Sequence, residues 1–418
     1  NGGGVLSATD LIPLRKHGRA LGLAEVMNMP GVLGNDPAVL RKLEAFSDGV
    51  MDGHAPLLRG KALSAYISAG ITSCHESSER EEAAEKLLKG MSVWIREGSV
   101  AKDLRELAPL LTLATSTSIG FCTDDRNPLD IAEEGHIDHL VRGAIRQGVP
   151  PEVAYRAASW TVARHYGLDR RGGRRCGAIA PGYQADLVLL DDPRAVGLKE
   201  VFKAGVPVSE LELGGGGRRS STGNTVRAKV PQARDLEGPA GRVHVMEVHP
   251  GKIITGRRVA DSGAAGVARV SVLERYGKGR KPANAYVTGF GESFDGAIAS
   301  SVGHDSHNLI VVGRRTEDMR AALASLIECG GGFAVARAGK VTARLPLPIG
   351  GLMTDREPAD LAREIKALKT AGRDAGCVLA EPFLQLAFLS LPVIPSLKLT
   401  DRGLVDVEAF KLVDVRAS

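Results

Sequence analysis

Four short apolar stretches of this chain each end in side chains that can bind a metal ion. The stretches end in Glu25, His54, His75–Glu76 and Asp124–Asp125. Each is followed by a helical pattern, so the same end of successive predicted strands carries the carboxylate and imidazole groups. A barrel of parallel strands builds a metal site in this way, at the carboxyl ends of its strands.

These side chains together predict hydrolytic chemistry. Hard or borderline divalent metals accept carboxylate and imidazole ligands. Two histidines can hold one ion, a glutamate can bridge two ions, and an aspartate can both bind metal and accept a proton. A metal lowers the pKa of its bound water to roughly 7, which makes hydroxide available at neutral pH. The expected reaction is hydrolysis at an amide carbonyl or at an amino-substituted heteroaromatic carbon.

A structural interpretation competes with the metal site at each position taken alone. A single histidine at a strand end is more often a hydrogen-bonded structural residue than a ligand. A glutamate inside an apolar strand is harder to explain, because burying it without a partner is costly. Four such positions in one alternating series favour the metal site.

Regular alternation of strand and helix between residues 21 and 125 predicts parallel strands joined by crossover helices. The predicted strands are Gly22–Asn28, Val50–His54, Ile71–His75, Met91–Ile95 and Ser118–Thr123. The predicted helices are Asp36–Phe46, Gly60–Ala69, Ser78–Leu88, Ala101–Leu113, Ile137–Gln147 and Glu152–Tyr166. A small β module follows, then a glycine-rich break at Gly214–Gly217, and then a mixed α and β region.

Composition excludes several classes of protein. The 418 residues suggest about three domains, and 43% hydrophobic with 25% charged residues is typical of a globular chain. Net charge is only +5, and the basic clusters at 170–175 and 218–219 lie among glycines without aromatic residues, so no nucleic-acid partner is expected. Five scattered cysteines without a Cys-x-x-Cys motif favour a reducing, cytoplasmic location. No apolar run approaches a membrane span of about 18 residues, no signal peptide is visible, and the first residue is Asn1.

Nine segments of the chain resemble the adenine deaminase family of the amidohydrolase superfamily. They are Ala24–Asn28, Gly53–Ala55, Cys74–Glu76, Ile95–Ser99, Cys122–Asp125, Gly177–Leu189, Ser301–Asn308, Leu345–Gly351 and Leu391–Asp401. The last three are specific to these deaminases within the superfamily. The resemblance extends over almost the whole chain.

This resemblance implies a (β/α)8 TIM-type barrel with a small β-sandwich and a C-terminal α+β domain. The barrel part would occupy residues 1–170, the β-sandwich part 171–213, a linker 214–239 and the C-terminal domain 240–418. It also implies hydrolytic deamination of adenine to hypoxanthine and ammonia, a reaction of purine salvage and adenine catabolism. A homodimer is expected by resemblance alone.

By the same resemblance, Glu25 matches a bridging carboxylate, and His54 and His75 match histidine ligands. Asp124 matches an aspartate that binds metal and transfers the proton. The expected metals are manganese or ferrous iron, as a pair. Glu76 is the candidate for a second acid that protonates a ring nitrogen; equally, it could orient a histidine.

Substrate-binding residues are expected on both sides of this site. Arg96, Glu97 and Ser99 follow the fourth predicted strand and could position the purine, or could pair with one another. His304, Asp305 and His307 belong to one compact loop that cannot easily aim all three side chains at one ion. We expect this loop to reach the barrel mouth and close the adenine pocket.

The chain departs from the family pattern at its start. The superfamily takes two ligands from a His-x-His at the end of strand one, and no His-x-His occurs here; His17 is a poor substitute. The first barrel-like strand corresponds to the family's fourth, so strands one to three are expected to be missing. We therefore expect this chain alone to be inactive or poorly folded.

Two other functions stay open at this point. One is another amidohydrolase, such as a cyclic amidase or an N-acetyl-sugar deacetylase, which would share the ligands at the strand ends. The other is a non-catalytic homologue that serves as a binding subunit, which the absent His-x-His favours. The retention of Glu25, His54, His75 and Asp124 argues against it.

Overall fold

A computed structural model of the chain describes residues 2–170, 174–212 and 222–417. Within these residues the chain forms a five-stranded parallel sheet, a small three-stranded sheet, an eight-stranded mixed sheet and a second three-stranded sheet. The first sheet carries the predicted ligands, and the eight-stranded sheet belongs to the C-terminal domain.

The parallel sheet has its strands in chain order, and every neighbouring pair is parallel. Its strands are β1 Gly22–Val26, β2 Val50–Gly53, β3 Ser73–Cys74, β4 Ser92–Arg96 and β5 Ile119–Cys122. This order is the one in which a (β/α) barrel arranges its strands, and it confirms the predicted parallel α/β architecture. Among the described residues, β1 and β5 each pair on one side only.

Ten α-helices precede, connect or follow these strands in the described part of residues 2–170. They are α1 Ala8–Leu11, α2 Met29–Leu33, α3 Pro37–Ala45, α4 Gly60–Ser68, α5 Arg80–Leu88, α6 Leu104–Leu107, α7 Pro128–Glu134, α8 Ile137–Arg146, α9 Pro151–Ala158 and α10 Trp160–His165. The start of α3 is as predicted, because the Asp36 carboxylate accepts hydrogen bonds from the backbone N–H groups of Ala38 and Val39.

Two predicted helices were too long. The predicted helix 101–113 is only α6 and a 3-10 turn, Ala108–Leu110, because Pro109 has no N–H to donate and its ring opposes a continuing α-helix. The predicted helix 152–166 is two helices, α9 and α10. They are separated at Ser159, whose φ of −131° and ψ of −80° are not helical.

The small sheet consists of β6 Leu187–Leu190, β7 Leu198–Lys203 and β8 Val206–Pro207, all antiparallel. It lies where the β module was predicted, although residues 171–173 and 213 are outside the described residues. Several of its apolar side chains are exposed, namely Val188, Leu189, Leu198, Val201 and Val206.

The C-terminal region is built on the eight-stranded sheet, in the order β10-β9-β12-β11-β14-β13-β15-β16. Its strands are β9 Arg242–Val248, β10 Thr255–Asp261, β11 Ala268–Leu273, β12 Ala283–Thr288, β13 Ala297–Ser300, β14 Leu309–Gly313, β15 Gly332–Arg337 and β16 Lys340–Pro346. The remaining elements are α11 Thr316–Cys329, α12 Pro358–Asp374, α13 Pro382–Phe388, β17 Leu397–Thr400, β18 Gly403–Asp406 and β19 Lys411–Val413. Helix α11 packs on one face of the sheet, while α12 and α13 pack on the other, so β14 is buried throughout.

The predicted linker, 214–239, lies partly outside the described residues, which resume at Thr222. Its described part has one 3-10 turn, Ala233–Leu236, and buries Val226 and Leu236 against the α11 face of the sheet. Residues 222–239 therefore pack on the C-terminal region as a covering segment. In the part of the chain that the structure describes, no helix is long and apolar enough to cross a membrane.

One lysine is enclosed within the C-terminal region. Lys398 on β17 is fully buried, and its Nζ donates a hydrogen bond to the carbonyl oxygen of Ile253 at 2.9 Å. Burial disfavours the ammonium ion and lowers the pKa of Lys398 from its ordinary value of 10.5 to about 7.

Because Lys398 is buried, we expect the free energy of unfolding to increase as the pH is raised. Above a pH of about 7 the folded chain has released the Lys398 proton while the unfolded chain keeps it up to about 10.5. Lys398 should therefore make the free energy of unfolding rise by about 1.4 kcal/mol per pH unit across this window. Urea unfolding of wild type and Lys398→Met at pH 7.5 and 9.5 measures the difference. The exposed Lys340→Met is the control, and identical pH slopes in wild type and Lys398→Met would contradict the prediction.

Candidate metal centre

The carboxyl ends of β1, β2 and β3 bring Glu25, His54 and His75 together. Glu25 faces both imidazoles: its Oε1 lies 3.6 Å from Nδ1 of His54, and its Oε2 lies 3.0 Å from Nε2 of His75. The two rings meet edge to face with centroids 5.4 Å apart. One ligand atom from each of the three residues lies within 4.8 Å of the others, so the group could hold a metal ion.

A second group adjoins the first and shares His75 with it. His75, Glu76 and Asp124 also offer ligand atoms within 4.8 Å of one another. Oε1 of Glu76 lies 3.4 Å from Nε2 of His75 and 3.6 Å from Nδ1 of His54. The structure thus brings all four predicted metal ligands to one place, and Glu76 of the second group also lies close to His54 of the first.

His54 supplies the observation that tests whether a cation fits here. It is only 4% exposed, and neither ring nitrogen has a hydrogen-bond partner among the described residues. A buried imidazole without partners is rare and unfavourable, and a divalent cation accepts the lone pair of a neutral imidazole. With two carboxylates beside it, the donor set fits a divalent metal.

Several carboxyl groups meet in this site, and their pKa values are shifted in opposite directions. Burial would raise the pKa of Glu25, but His54 and His75 hold it far below its ordinary value. Burial would also raise the pKa of Glu76, but Arg96 and the two histidines lower it. Burial and the neighbouring charge of Asp125 raise the pKa of Asp124. Of Glu25, Glu76 and Asp124, only Asp124 has a raised pKa, which favours proton uptake by this carboxyl group.

Arg96 pairs with the carboxylates behind the ligands. Its guanidinium donates to Glu76, to Oδ2 of Asp124 at 3.3 Å and to Oδ2 of Asp103 at 3.1 and 3.2 Å. It is 1% exposed and lies outside the lining of the cavity at the site. Arg96 thus compensates buried charge, whereas the sequence suggested a contact with substrate or with Glu97 and Ser99.

Glu97 and Ser99 also lie outside the cavity lining and bond backbone groups. Oε2 of Glu97 accepts a hydrogen bond from the N–H of Leu104 at the start of α6, at 3.0 Å. Oγ of Ser99 accepts from the N–H of Asn127 at 3.0 Å, and the Ser99 N–H donates to the carbonyl of Asp125 at 2.9 Å. Glu97 thus fixes the end of the loop after β4, and Ser99 fixes the loop after β5.

The C-terminal region reaches this site through His304. Nε2 of His304 lies 2.8 Å from Oδ2 of Asp125, and Nδ1 lies 3.3 Å from Asp305. Burial alone would lower the pKa of His304, but Asp125 and Asp305 raise it to about 10. The His304 ring stacks on Phe388 at a centroid distance of 5.1 Å. His307 lies outside the cavity lining, and its carbonyl accepts a hydrogen bond from Arg275 at 3.0 Å.

A narrow cavity of about 70 Å³ lies between the two regions. Its polar side consists of the ligand residues with Glu76, Asp125, His304 and Asp305. Its apolar side consists of Met27, Ile253, Phe388, Leu391 and Ile394. The sequence did not single out these apolar residues, although Leu391 and Ile394 lie in a segment that carries the family resemblance.

Comparisons with known proteins agree with this arrangement. A model of the amidohydrolase family matches residues 27–208, and a model of the adenine deaminase C-terminal domain matches residues 247–411. The chain is 52% identical to an adenine deaminase of Methylobacterium nodulans, over 98% of this chain and 74% of that protein. It is 48% identical to adenine deaminase 1 of Rhizobium meliloti, over 96% and 73%, and 45% identical to an adenine deaminase of Edwardsiella ictaluri, over 98% and 71%.

The chain belongs to the adenine deaminase family. The first matched segment covers β2–β5 of the parallel sheet and the small sheet, and the second covers most of the C-terminal region. Membership in the amidohydrolase superfamily agrees with a TIM-type α/β fold and with dependence on a divalent metal. The matches to adenine deaminases and to their C-terminal domain do not favour the cyclic amidase and deacetylase alternatives.

Tyr66 ties two of the ligand-bearing strand ends together in this adenine deaminase family member. Its hydroxyl donates to the carbonyl of Val26 at 2.5 Å and accepts from the N–H of His54 at 3.1 Å. Tyr66 is completely buried on α4. Sequence reasoning missed it, because a tyrosine in an amphipathic helix gives no sign of what its hydroxyl contacts.

Removing this hydroxyl should destabilise the protein. Tyr66→Phe leaves a buried carbonyl and a buried N–H without a partner, so we expect a loss of about 1–3 kcal/mol in the free energy of unfolding. Urea unfolding measures the loss. The control is Tyr155→Phe, whose hydroxyl donates to the carbonyl of Pro193 at 2.8 Å at the surface. Equal losses in the two variants would show that Tyr66 has no special role.

Proposed function

We propose that this protein catalyses the hydrolytic deamination of adenine to hypoxanthine and ammonia. The observation that carries the proposal is the pair of ligand groups that share His75, enclosed against a C-terminal region that matches the adenine deaminase model. The relatives named adenine deaminase match almost the whole chain at 45–52% identity. We further propose a role in purine salvage, a cytoplasmic location and a homodimer.

Glu25, His54, His75 and Asp124 are the proposed metal ligands. We propose manganese or ferrous iron, bound as a pair, since His75 belongs to both ligand groups and Glu25 presents one oxygen to each histidine. When bound, such a metal supplies the Lewis acidity that activates water for attack on C6 of adenine.

Asp124 is the proposed proton carrier. It is placed at the cavity with one oxygen held by Arg96 at 3.3 Å, and its raised pKa favours proton uptake. Its backbone φ of +52° is in the left-handed region that non-glycine residues seldom adopt, which is common at functional sites. Asp124 would accept the proton of the attacking water and pass it to the leaving amino nitrogen.

Glu76 is proposed to act at a ring nitrogen of the purine. Its two oxygens have different surroundings, which allows both roles considered for it. Oε1 faces His54, His75 and Arg96 and would orient them. Oε2 is buried without a hydrogen-bond partner among the described residues, on a side chain that lines the cavity. An N–H of the purine ring would give Oε2 the hydrogen-bond donor that it lacks.

His304 and Asp305 are the proposed substrate-binding residues of the C-terminal region. Both line the cavity, and the apolar wall of Ile253, Leu391 and Ile394 offers a surface for the flat face of a purine. Arg96, Glu97, Ser99 and His307 would support the site from outside the cavity lining.

We also propose that a complete (β/α)8 barrel and a complete β-sandwich form in the working enzyme, which would divide the chain at about residues 170, 213 and 239. The outer edge of β1 has no strand partner among the described residues. The exposed apolar residues of β6–β8 are those that a second sheet would cover. This chain spans 74% of the length of the Methylobacterium nodulans relative.

The function is tested with two proteins: the 418-residue chain, and a chimera that adds the N-terminal part of the Methylobacterium nodulans relative. The chimera should release ammonia and hypoxanthine from adenine, lose activity after dialysis against a chelator and regain it with Mn²⁺ or Fe²⁺. Hydantoin and N-acetylglucosamine 6-phosphate are the control substrates. Turnover of either one without turnover of adenine would contradict the proposal.

The loop that carries His304 gives a separate prediction. In the chimera, His304→Ala removes a charged hydrogen bond to Asp125 and should lower kcat/KM for adenine by roughly 10- to 100-fold. His307→Ala is the matched control, because His307 lies outside the cavity lining, and it should have a much smaller effect. Adenine deamination at the wild-type rate by the folded double variant His304→Ala/His307→Ala would exclude a role for this loop.

A further inference from the structure

A fully buried ion pair lies on the helix next to the metal centre, outside the cavity lining. Lys86 and Glu82 are one turn apart on α5, with Nζ 2.6 Å from Oε1 and no exposed side-chain surface on either residue. Burying two charges carries a desolvation penalty, and an apolar pair of similar size would often be as stable. Packing alone therefore does not explain why this position is charged.

The pair makes directed contacts to the loop that carries His54. Nζ of Lys86 donates to the carbonyl of Ala55, the residue after His54, at 2.8 Å. Oε1 of Glu82 accepts a hydrogen bond from the backbone N–H of Leu57 at 2.9 Å. Together, these two bonds fix the first residues after β2.

Lys86 also contacts the segment that carries His75 and Glu76. Its Nζ donates to Oγ of Ser77 at 3.0 Å and lies 3.4 Å from Sγ of Cys74. Cys74 and Ser77 flank His75 and Glu76 in the chain. A single ammonium group thus bonds both loops and sets the position of one relative to the other.

We infer that the Lys86–Glu82 pair is a positioning unit that holds His54 and His75 at the spacing needed to share a metal centre. This inference rests on the proposed metal site. Metal affinity depends on groups behind the ligands, because a ligand displaced by a fraction of an ångström binds less well. An apolar pair could fill the same space but could not bond two backbone groups and a hydroxyl.

The chain offers a matched control on the same helix. Lys89 and Glu85 form an equivalent pair one turn later, with Nζ 2.9 Å from Oε1. This pair bonds Arg59 and the backbone of Gly60, where the loop after β2 ends and α4 begins, and none of these bonds reaches Ala55 or Ser77. The test compares Glu82→Gln/Lys86→Met with Glu85→Gln/Lys89→Met in the 418-residue chain. Both double variants remove one charge of each sign.

The measurement is the affinity for Mn²⁺ alone, from the electron paramagnetic resonance signal of the free ion during titration. We expect Glu82→Gln/Lys86→Met to weaken Mn²⁺ binding by about 10- to 100-fold, and the control to leave it within about twofold. The rise in Tm on adding Mn²⁺ should shrink in the first variant only. A lower Tm of the metal-free protein with unchanged Mn²⁺ affinity would show a purely structural pair and overturn the inference.

A second variant covers the case in which the double variant does not fold. Ser77→Ala removes one acceptor of Lys86 at little risk to folding and should weaken Mn²⁺ binding several-fold; unchanged affinity would overturn the inference. Adenine turnover by the chimera is measured in a separate experiment. Weakened Mn²⁺ binding in the variants without adenine turnover in the chimera would leave this inference standing and overturn the proposed function.

Discussion

The arrangement of the site depends on how buried negative charge is compensated. Glu76, Asp103 and Asp124 come from three separate segments, and the guanidinium of Arg96 bonds all three. Without this cation, Coulomb repulsion and desolvation would both disfavour the ionised carboxylates. Arg96 is the last residue of β4, between the strands that deliver Glu76 and Asp124, so it can reach both sides. The sheet order therefore makes the charge balance possible.

The two regions of the chain share the site. The loop after β5 is contacted by the C-terminal region at two places: His304 bonds Asp125, and the amide of Asn127 donates to Oε2 of Glu381 at 3.2 Å. Lys366 on α12 also bonds Glu133 on α7 at 2.8 Å. Because Ser99 holds the same loop from the other side through the Asn127 N–H, Asp124 lies on a segment fixed by both regions. The C-terminal region therefore does more than cover the site, because its contacts help to fix the segment that carries Asp124.

The sequence could predict the parts of this structure that depend on local pattern. Five parallel strands followed from alternating apolar and helical segments, and Glu25, His54, His75 and Asp124 could be found because each ends such a segment. Helix ends were less predictable where one residue decides them, as at Pro109 and Ser159.

Contacts between distant segments could not be read from the sequence. Arg96 could be picked out from the sequence because it ends a predicted strand. Its hydrogen bond to Asp103 could not be predicted, because it depends on the path of the chain before α6. Tyr66 and Lys86 look like ordinary residues of amphipathic helices, and only the packing of α4 and α5 on the sheet shows what their polar atoms bond. Nothing in the sequence marked Ile253 as a cavity residue, because it lines the cavity from a loop whose backbone is bonded by Lys398 and Gln385.

These contacts explain how the metal ligands are held in position. A metal ligand on a short strand end has little local structure to fix it, and β3 is only two residues long. Its neighbours His75 and Glu76 are therefore held from outside the strand, by Lys86 through Ser77 and by Arg96 through Glu76 itself. His54 is held in the same way, through its own N–H by Tyr66 and through Ala55 by Lys86. The precision of the centre thus comes from buried polar side chains on α4, α5 and β4, and the strands supply only the direction from which the ligands approach.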